Sequence, residues 1–467
     1  MIVGIISGAG IYQVSPLVAG CMGGSAATLA IWLVGGFLAL TGALCYAELA
    51  TAYPREGGDY VYLSRAYGRP WGWLFGWTQL VIVRPGDIAL MAFVFGTYAE
   101  TLYAPGVGAR IVYAAAAVGV LTVINMLGVA EGKWTQNILT VIKALGLLAV
   151  VVAGLLAPGP AAQAAETGEL SLGGLRLALI LVLFTFGGWH EMAYVAAEVK
   201  RPERNIVRAL VLGTVVVTVL YLLVNAAFLQ ALGHAGMMGS EAVAVDAVST
   251  IFPDIAARAI AVIICISALG AANGLVFTGA RISYALGAEH RAFRGLGTWH
   301  PTLGTPVGAL VVQGVLSVGI VLVAGSFVDT ILYSAPVVWV FFLATGLSVI
   351  VLRVREPETP RPYKALGYPV TPILFVACCV FMLYSSVTYA LENRANGLML
   401  LGGVLAAGVL VWWLTEGGGE PVGSRQSTSY WPTDRHGQAS PTVAPREGGR
   451  PQRGDVHLSN SKLVRFE

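Results

Sequence analysis

Between Met1 and Thr415 the chain is a succession of apolar runs, most about 20 residues long, joined by short polar links. An α-helix needs about that length to cross the hydrocarbon core of a bilayer. The runs fall near 1–19, 28–53, 72–101, 109–128, 135–157, 174–199, 207–232, 254–287, 305–325, 328–352, 369–390 and 396–415, twelve spans with the first truncated. Composition agrees: 56% of residues are hydrophobic and 11% charged, where a soluble protein carries about 25% charged residues. The reading is an all-α polytopic membrane protein, one integral domain over 1–415.

Several function classes drop out. The net charge of +3 is too small to point to nucleic acid, and no nucleotide-binding loop appears, which argues against ATP-driven pumping. The five cysteines lie in or beside apolar stretches with no metal or disulfide spacing, so they read as small buried hydrophobes. No nucleophile–base pair suggests an enzyme, and no metal or cofactor is expected. His190-Glu191-Met-Ala-Tyr194 matches only the start of a metalloprotease motif, since Tyr194 stands where the second histidine belongs.

No basic region precedes the first apolar run, so no secretory signal is evident. That run reaches only from Met1 to Pro16, and the start of the chain is expected to be missing or misassigned. With the N-terminus cytoplasmic, the inner loops hold fourteen Lys and Arg against four outside, Arg110, Arg176, Arg258 and Arg394. This bias places both termini in the cytoplasm. Residues 416–467 are rich in Gly, Pro, Ser and Arg and hold no apolar period; they read as a disordered cytoplasmic tail.

Two spans carry glycine interruptions. The first contains Ser7-Gly8-Ala9-Gly10, and the sixth contains Phe184-Thr185-Phe186-Gly187-Gly188-Trp189. If spans 1–5 (about 1–157) and 6–10 (about 174–352) are two halves, these breaks correspond. Five spans per half inverts the second half relative to the first. Helix breaks free backbone groups, and N–H groups at a helix N-terminus seat a carboxylate. Freed carbonyls in the partner break accept an ammonium, so the pair suits an α-amino acid. Packing through small residues is the competing reading of Gly8 and Gly10. Phe184, Phe186 and Trp189 are candidate pocket walls or gates, with lipid-facing packing as the alternative.

Lys143, Glu191, Arg84 and Asp87 are charged positions inside spans, where charge is costly. Lys143 lies nine residues past Trp134, about 13 Å deep at 1.5 Å per residue. It reads as a fixed cation or a proton-carrying amine bracing the first helix. Glu191 has two open readings: a partner for a substrate amine or proton, or a structural partner of His190 or another polar group. Arg84 and Asp87 flank Pro85-Gly86, and an i,i+3 ion pair around a kink is expected there.

Longer motifs in the right order carry a family resemblance over about residues 1–415: Gly42-Ala-Leu-Cys-Tyr-Ala-Glu-Leu49, Pro54-Arg-Glu-Gly-Gly-Asp-Tyr-Val-Tyr62, Ile82-Val-Arg-Pro85, Phe186-Gly-Gly-Trp189 and Asn273-Gly-Leu-Val-Phe-Thr-Gly-Ala-Arg281. The chain resembles the amino acid–polyamine–organocation (APC) superfamily, and within it the L-type amino acid transporter branch. The resemblance implies a LeuT-like 5+5 inverted repeat with discontinuous helices 1 and 6, plus two further helices over about 369–415. It implies alternating access around an amino acid site, in an exchanger or a proton-coupled symporter of the plasma membrane. By motif position, Ala9 and Gly10 offer N–H groups to the substrate carboxylate, while the carbonyls of Ile6, Phe184 and Gly187 receive its amine. Ser7, Gly8, Phe186, Gly188 and Glu191 complete the expected binding set, and Phe184 and Trp189 are the expected gates. Lys143 takes the buried-lysine position that favours sodium-independent transport, which leaves H+ as the candidate coupling ion.

Three departures stand out. Ala9 replaces the family's serine, which removes a hydroxyl donor. Glu191 replaces an uncharged residue, which bears on neutral-only selectivity. The loop Tyr103–Arg110 lacks the cysteine with which animal relatives bond a glycoprotein heavy chain, so no disulfide-linked heavy chain is expected. The alternatives are an amino acid sensor that binds without net flux and a polyamine transporter.

Overall fold

The computed structural model describes residues 10–55, 57–159, 170–194, 196, 199, 201–252, 256–324, 327–393 and 395–416. All of them belong to one compact unit, Met1–Gly418. The tail assigned to 416–467 lies outside the described residues apart from Glu416. So do Ile6, Ser7, Gly8 and Ala9, and the side chain of Lys143.

The secondary structure of the described residues is helical. Seven of its helices are long and apolar enough to cross a membrane, and four more apolar helices are shorter. The first described helix is α1, Gly10–Cys21, whose Ile11, Val14 and Val18 recur at helical spacing and are fully buried. Then come α2 (Ser25–Ala52), α3 (Asp59–Tyr67) and α4 (Arg69–Thr78). A π-helical turn, Gln79–Val83, leads into α5 (Arg84–Leu102). The sequence pattern predicted one span here, bent at Pro85-Gly86. The distortion instead precedes Pro85, and the N–H of Arg84 bonds to the carbonyl of Gln79, five residues back. Pro85 has no N–H to offer and its ring crowds the carbonyl four residues earlier, so the preceding turn widens.

Helices α6 (Ala109–Leu127) and α7 (Val129–Leu156) follow. Helix α8 (Leu172–Thr185) starts where the Ser171 side chain accepts the Gly174 N–H at 2.9 Å, an N-cap contact. It stops in mid-run, and the chain turns through 186–190 before the single-turn helix α9, Glu191–Tyr194. Gly188 sits at φ +96°, a conformation that costs a residue with a Cβ. The second half continues with α10 (Pro202–Met238), α11 (Val243–Ser249), α12 (Ala256–Glu289), α13 (Val307–Ala324), α14 (Phe327–Arg355), α15 (Val370–Asn393) and α16 (Ala395–Glu416). Pro202 stands in the first turn of α10, where its missing N–H costs nothing.

Helix α10 has two apolar faces. Leu210, Val217, Tyr221 and Val224 are buried, while Leu212, Val216, Val219 and Leu223 form an exposed stripe. In water that stripe would be a liability; in a bilayer it faces acyl chains. The buried side chains form two clusters, one around α1, α2, α8 and α10 and the other around α4, α5 and α14.

Candidate functional site

The interruption after α8 opens on a cavity of about 130 Å³. Its wall comes from α1 (Gly10), the π turn (Gln79), α5 (Arg84, Asp87), the end of α8 (Phe184, Thr185), the turn (Gly187, Gly188, His190), α9 (Glu191), α12 (Ala271, Leu275) and α14 (Ser334, Trp339, Phe342). A Cβ added to Gly10 would lie 4.0 Å from Thr185 Cγ2, so the first described residue of α1 meets the broken end of α8. Within the break, Gly187 N–H bonds to the Phe184 carbonyl at 2.8 Å and Glu191 N–H to the Gly188 carbonyl at 3.2 Å. The Phe186 N–H is also directed at the Phe184 carbonyl, as well as at that of Val182.

The charges are arranged differently from the i,i+3 expectation. Arg84 Nη2 lies 2.7 Å from Glu191 Oε1, with both side chains 2% exposed; Asp87 is not its ion-pair partner. The guanidinium reaches across from α5 to α9 and lies over the Tyr194 ring, 5.0 Å from its centroid. His190 Nε2 stands 3.6 Å from the same Glu191 oxygen. Taking two charges out of water costs several kcal/mol per ion, repaid only by close pairing, and 2.7 Å supplies it.

Not every polar atom on the wall is satisfied. Gln79 Oε1, Arg84 Nε and Nη1, His190 Nδ1 and Glu191 Oε2 are buried without a hydrogen-bond partner. Buried polar side chains almost always find partners. Five such unsatisfied atoms gather around this one cavity.

Of the residues expected in the site, Gly10, Phe184, Gly187, Gly188 and Glu191 meet at this cavity. Phe186 and Trp189 do not line it. Phe186 is fully buried beside Trp32 and Tyr221, with ring centroids 6.1 and 5.2 Å away. Trp189 packs against Tyr46 at 4.9 Å, Phe342 at 5.6 Å and Phe375 at 6.0 Å. The turn points them into the helix packing on either side. Gln79, Asp87 and the α14 wall were not expected in the site. Gln79 and Asp87 were visible only as polar residues in apolar runs, and the mostly apolar α14 wall gave no signal; neither says where a side chain points.

Below Glu191 the site rests on Asp59, which is 1% exposed. Its carboxylate accepts the hydroxyls of Tyr194 at 2.8 Å, Thr345 at 2.6 Å and Tyr46. Asp59 thereby ties α9 to α2, α3 and α14. Gly58 sits at φ +50° and a Cβ there would overlap the Tyr194 ring. The Gly-Gly-Asp of the second motif is thus a tight turn that delivers a carboxylate.

Comparisons with known proteins identify the family. The amino acid permease family model matches residues 1–409. The chain is 30% identical to the mouse b(0,+)-type amino acid transporter 1, covering 83% of this chain and 80% of that one. It is 31% identical to the serine/threonine exchanger of Bacillus subtilis, covering 88% and 94%. It is also 31% identical to the human large neutral amino acids transporter small subunit 2, covering 82% and 74%. The relatives and the family are membrane transporters, not enzymes. With long apolar helices around a polar-lined helix break, and a family match over nearly all the described residues, the chain belongs to the amino acid permease family of the APC superfamily.

Proposed function

We propose that this protein is a secondary-active amino acid transporter, a sodium-independent exchanger or a proton-coupled symporter, working by alternating access. The observation that carries the reading is the cavity at the α8–α9 break, with unpartnered buried donors and acceptors on its wall. A zwitterion presents an ammonium and a carboxylate close together, and a broken helix end offers backbone atoms to both. In this reading Ile6, Ser7, Gly8 and Ala9 extend the site from the chain preceding α1, and Phe184 is its gate. The relatives' names support amino acids as the substrate class.

The finer layout belongs to the same proposal: a LeuT-like 5+5 repeat in twelve spans, both termini cytoplasmic, plasma-membrane residence and no disulfide-linked heavy chain. Proteoliposomes test the function directly. Counterflow of a labelled amino acid panel, with and without a pH gradient, is expected to show saturable exchange of some members. Binding without flux would make the chain a sensor, and no binding of any member would end the amino acid reading. Lys143 is assigned to brace the first helix. Lys143→Ala is expected to abolish uptake while leaving yield and monodispersity unchanged, and full uptake by that variant would remove the role.

A further inference from the structure

Among the described residues, the cavity wall holds one charge more than its ion pair balances. Arg84 and Glu191 neutralise each other, but Asp87 also lines the wall. It is half-buried and has no hydrogen bond or ion pair among the described residues. At i+3 from Arg84 it lies on the same face of α5, yet the guanidinium makes its ion pair through Nη2 to Glu191 and none to Asp87.

Among the described residues, the surrounding elements bring no second cation to the wall. Among the described residues, the wall receives Gly10 from α1, apolar side chains and a hydroxyl from α8, Ala271 and Leu275 from α12, and apolar residues with Ser334 from α14. Tyr194 lies under Arg84 and donates its hydroxyl to Asp59. His190 is packed edge-on among Tyr46, Trp189, Tyr194 and Phe342. Its Nε2 turns to Glu191, which Arg84 already pairs.

An unpaired carboxylate inside a bundle of membrane helices is costly, and a bound positive charge relieves that cost. Two further acceptors on the wall lack partners, Glu191 Oε2 and Gln79 Oε1. An ammonium carries three donors and no acceptor, so it matches these acceptors in kind and leaves the unpartnered Arg84 Nε, Arg84 Nη1 and His190 Nδ1 to other groups of the ligand. We infer that Asp87 is a specificity-determining residue that holds one monovalent positive charge arriving with the substrate. That charge is the side-chain ammonium or guanidinium of a cationic amino acid, or a proton when the side chain is neutral. The inference rests on the amino acid reading above and narrows its substrate class.

Lysine and norleucine share a four-carbon side chain and differ in the terminal amine, so they isolate the charge. Their affinities are measured for the full chain in lipid nanodiscs between pH 5.5 and pH 8, ranges of about the width over which one carboxylate proton is read out. At the alkaline end lysine is expected to bind about tenfold or more tighter than norleucine. Norleucine is expected to tighten as pH falls, approaching about tenfold per pH unit, and to take up a proton from weakly buffered solution. Lysine is expected to do neither. Asp87→Asn is expected to bind norleucine with pH-independent affinity and to lose the lysine preference.

A flat profile with equal affinities in the unaltered protein overturns the inference without reference to any variant. A pH slope that survives in D87N also overturns it and moves the proton to His190 or Glu191. If norleucine binds but shows no charge preference and no slope, the amino acid reading stands and the Asp87 assignment falls. If no amino acid binds, both fall together.

Discussion

At the scale of single residues, the Arg84–Glu191 pair is the most exposed to test. Each partner makes the other tolerable in a buried setting, so the penalty for losing one exceeds the worth of the pair. Arg84→Met leaves a carboxylate buried without its cation and is expected to cost about 3–5 kcal/mol. The drop in thermal unfolding temperature in detergent reads it. Arg84→Met combined with Glu191→Leu is expected to recover most of the loss, because neither charge then remains to be desolvated. A double variant as unstable as the single one would mean that the methionine itself fails to pack over Tyr194. The sequence exposed both charges as anomalies in apolar runs. Their pairing was hidden because it joins residues 107 positions apart on different helices, and the expected i,i+3 partner was the nearer one.

At the scale of elements, the break after α8 was legible from two adjacent glycines, and its consequences were not. Gly188 at φ +96° is where Gly188→Ala is expected to cost about 1–2 kcal/mol from left-handed strain. The same substitution favours continuing the helix, so substrate affinity in the cavity is expected to fall as well. An unchanged affinity would separate the break from binding. A second joint links α3 and the α2–α3 turn to Glu356, just past the end of α14. Arg65 Nε lies 2.8 Å from Glu356 Oε1, and the Tyr53 hydroxyl donates to Glu356 Oε2 at 3.1 Å.

Burial pushes the Glu356 carboxyl up, but the Arg65 and Tyr53 hydrogen bonds outweigh it and hold the carboxyl below its ordinary range. A depressed carboxyl stabilises the fold above its unfolded-state pKa, and the contribution is lost as pH falls through the folded value. The joint is therefore expected to hold at neutral pH and to loosen only on acidification below the ordinary glutamate range. Its solvent exposure limits the effect to about 0–1 kcal/mol. Hydrogen exchange in residues 53–65 measured down the acid limb reads it, and Glu356→Gln should remove the acid dependence.

At the scale of the whole molecule, orientation is the property the sequence states most directly. Fourteen basic loop residues against four predict that a reporter fused after Glu416 reads as cytoplasmic, and a periplasmic or extracellular reading would invert the topology. Length, hydropathy and charge bias are additive along the chain, so the all-helical membrane class and the family motifs were readable without coordinates. So was the glycine interruption, because a helix's weakest point is a local matter of backbone freedom. Which side chains share a cavity is not local. Asp59 gathers hydroxyls from three other helices, and Phe186 and Trp189 turn away from the cavity that Phe184 lines. Burial and charge pairing depend on which faces of distant helices meet, and only the packed bundle decides that.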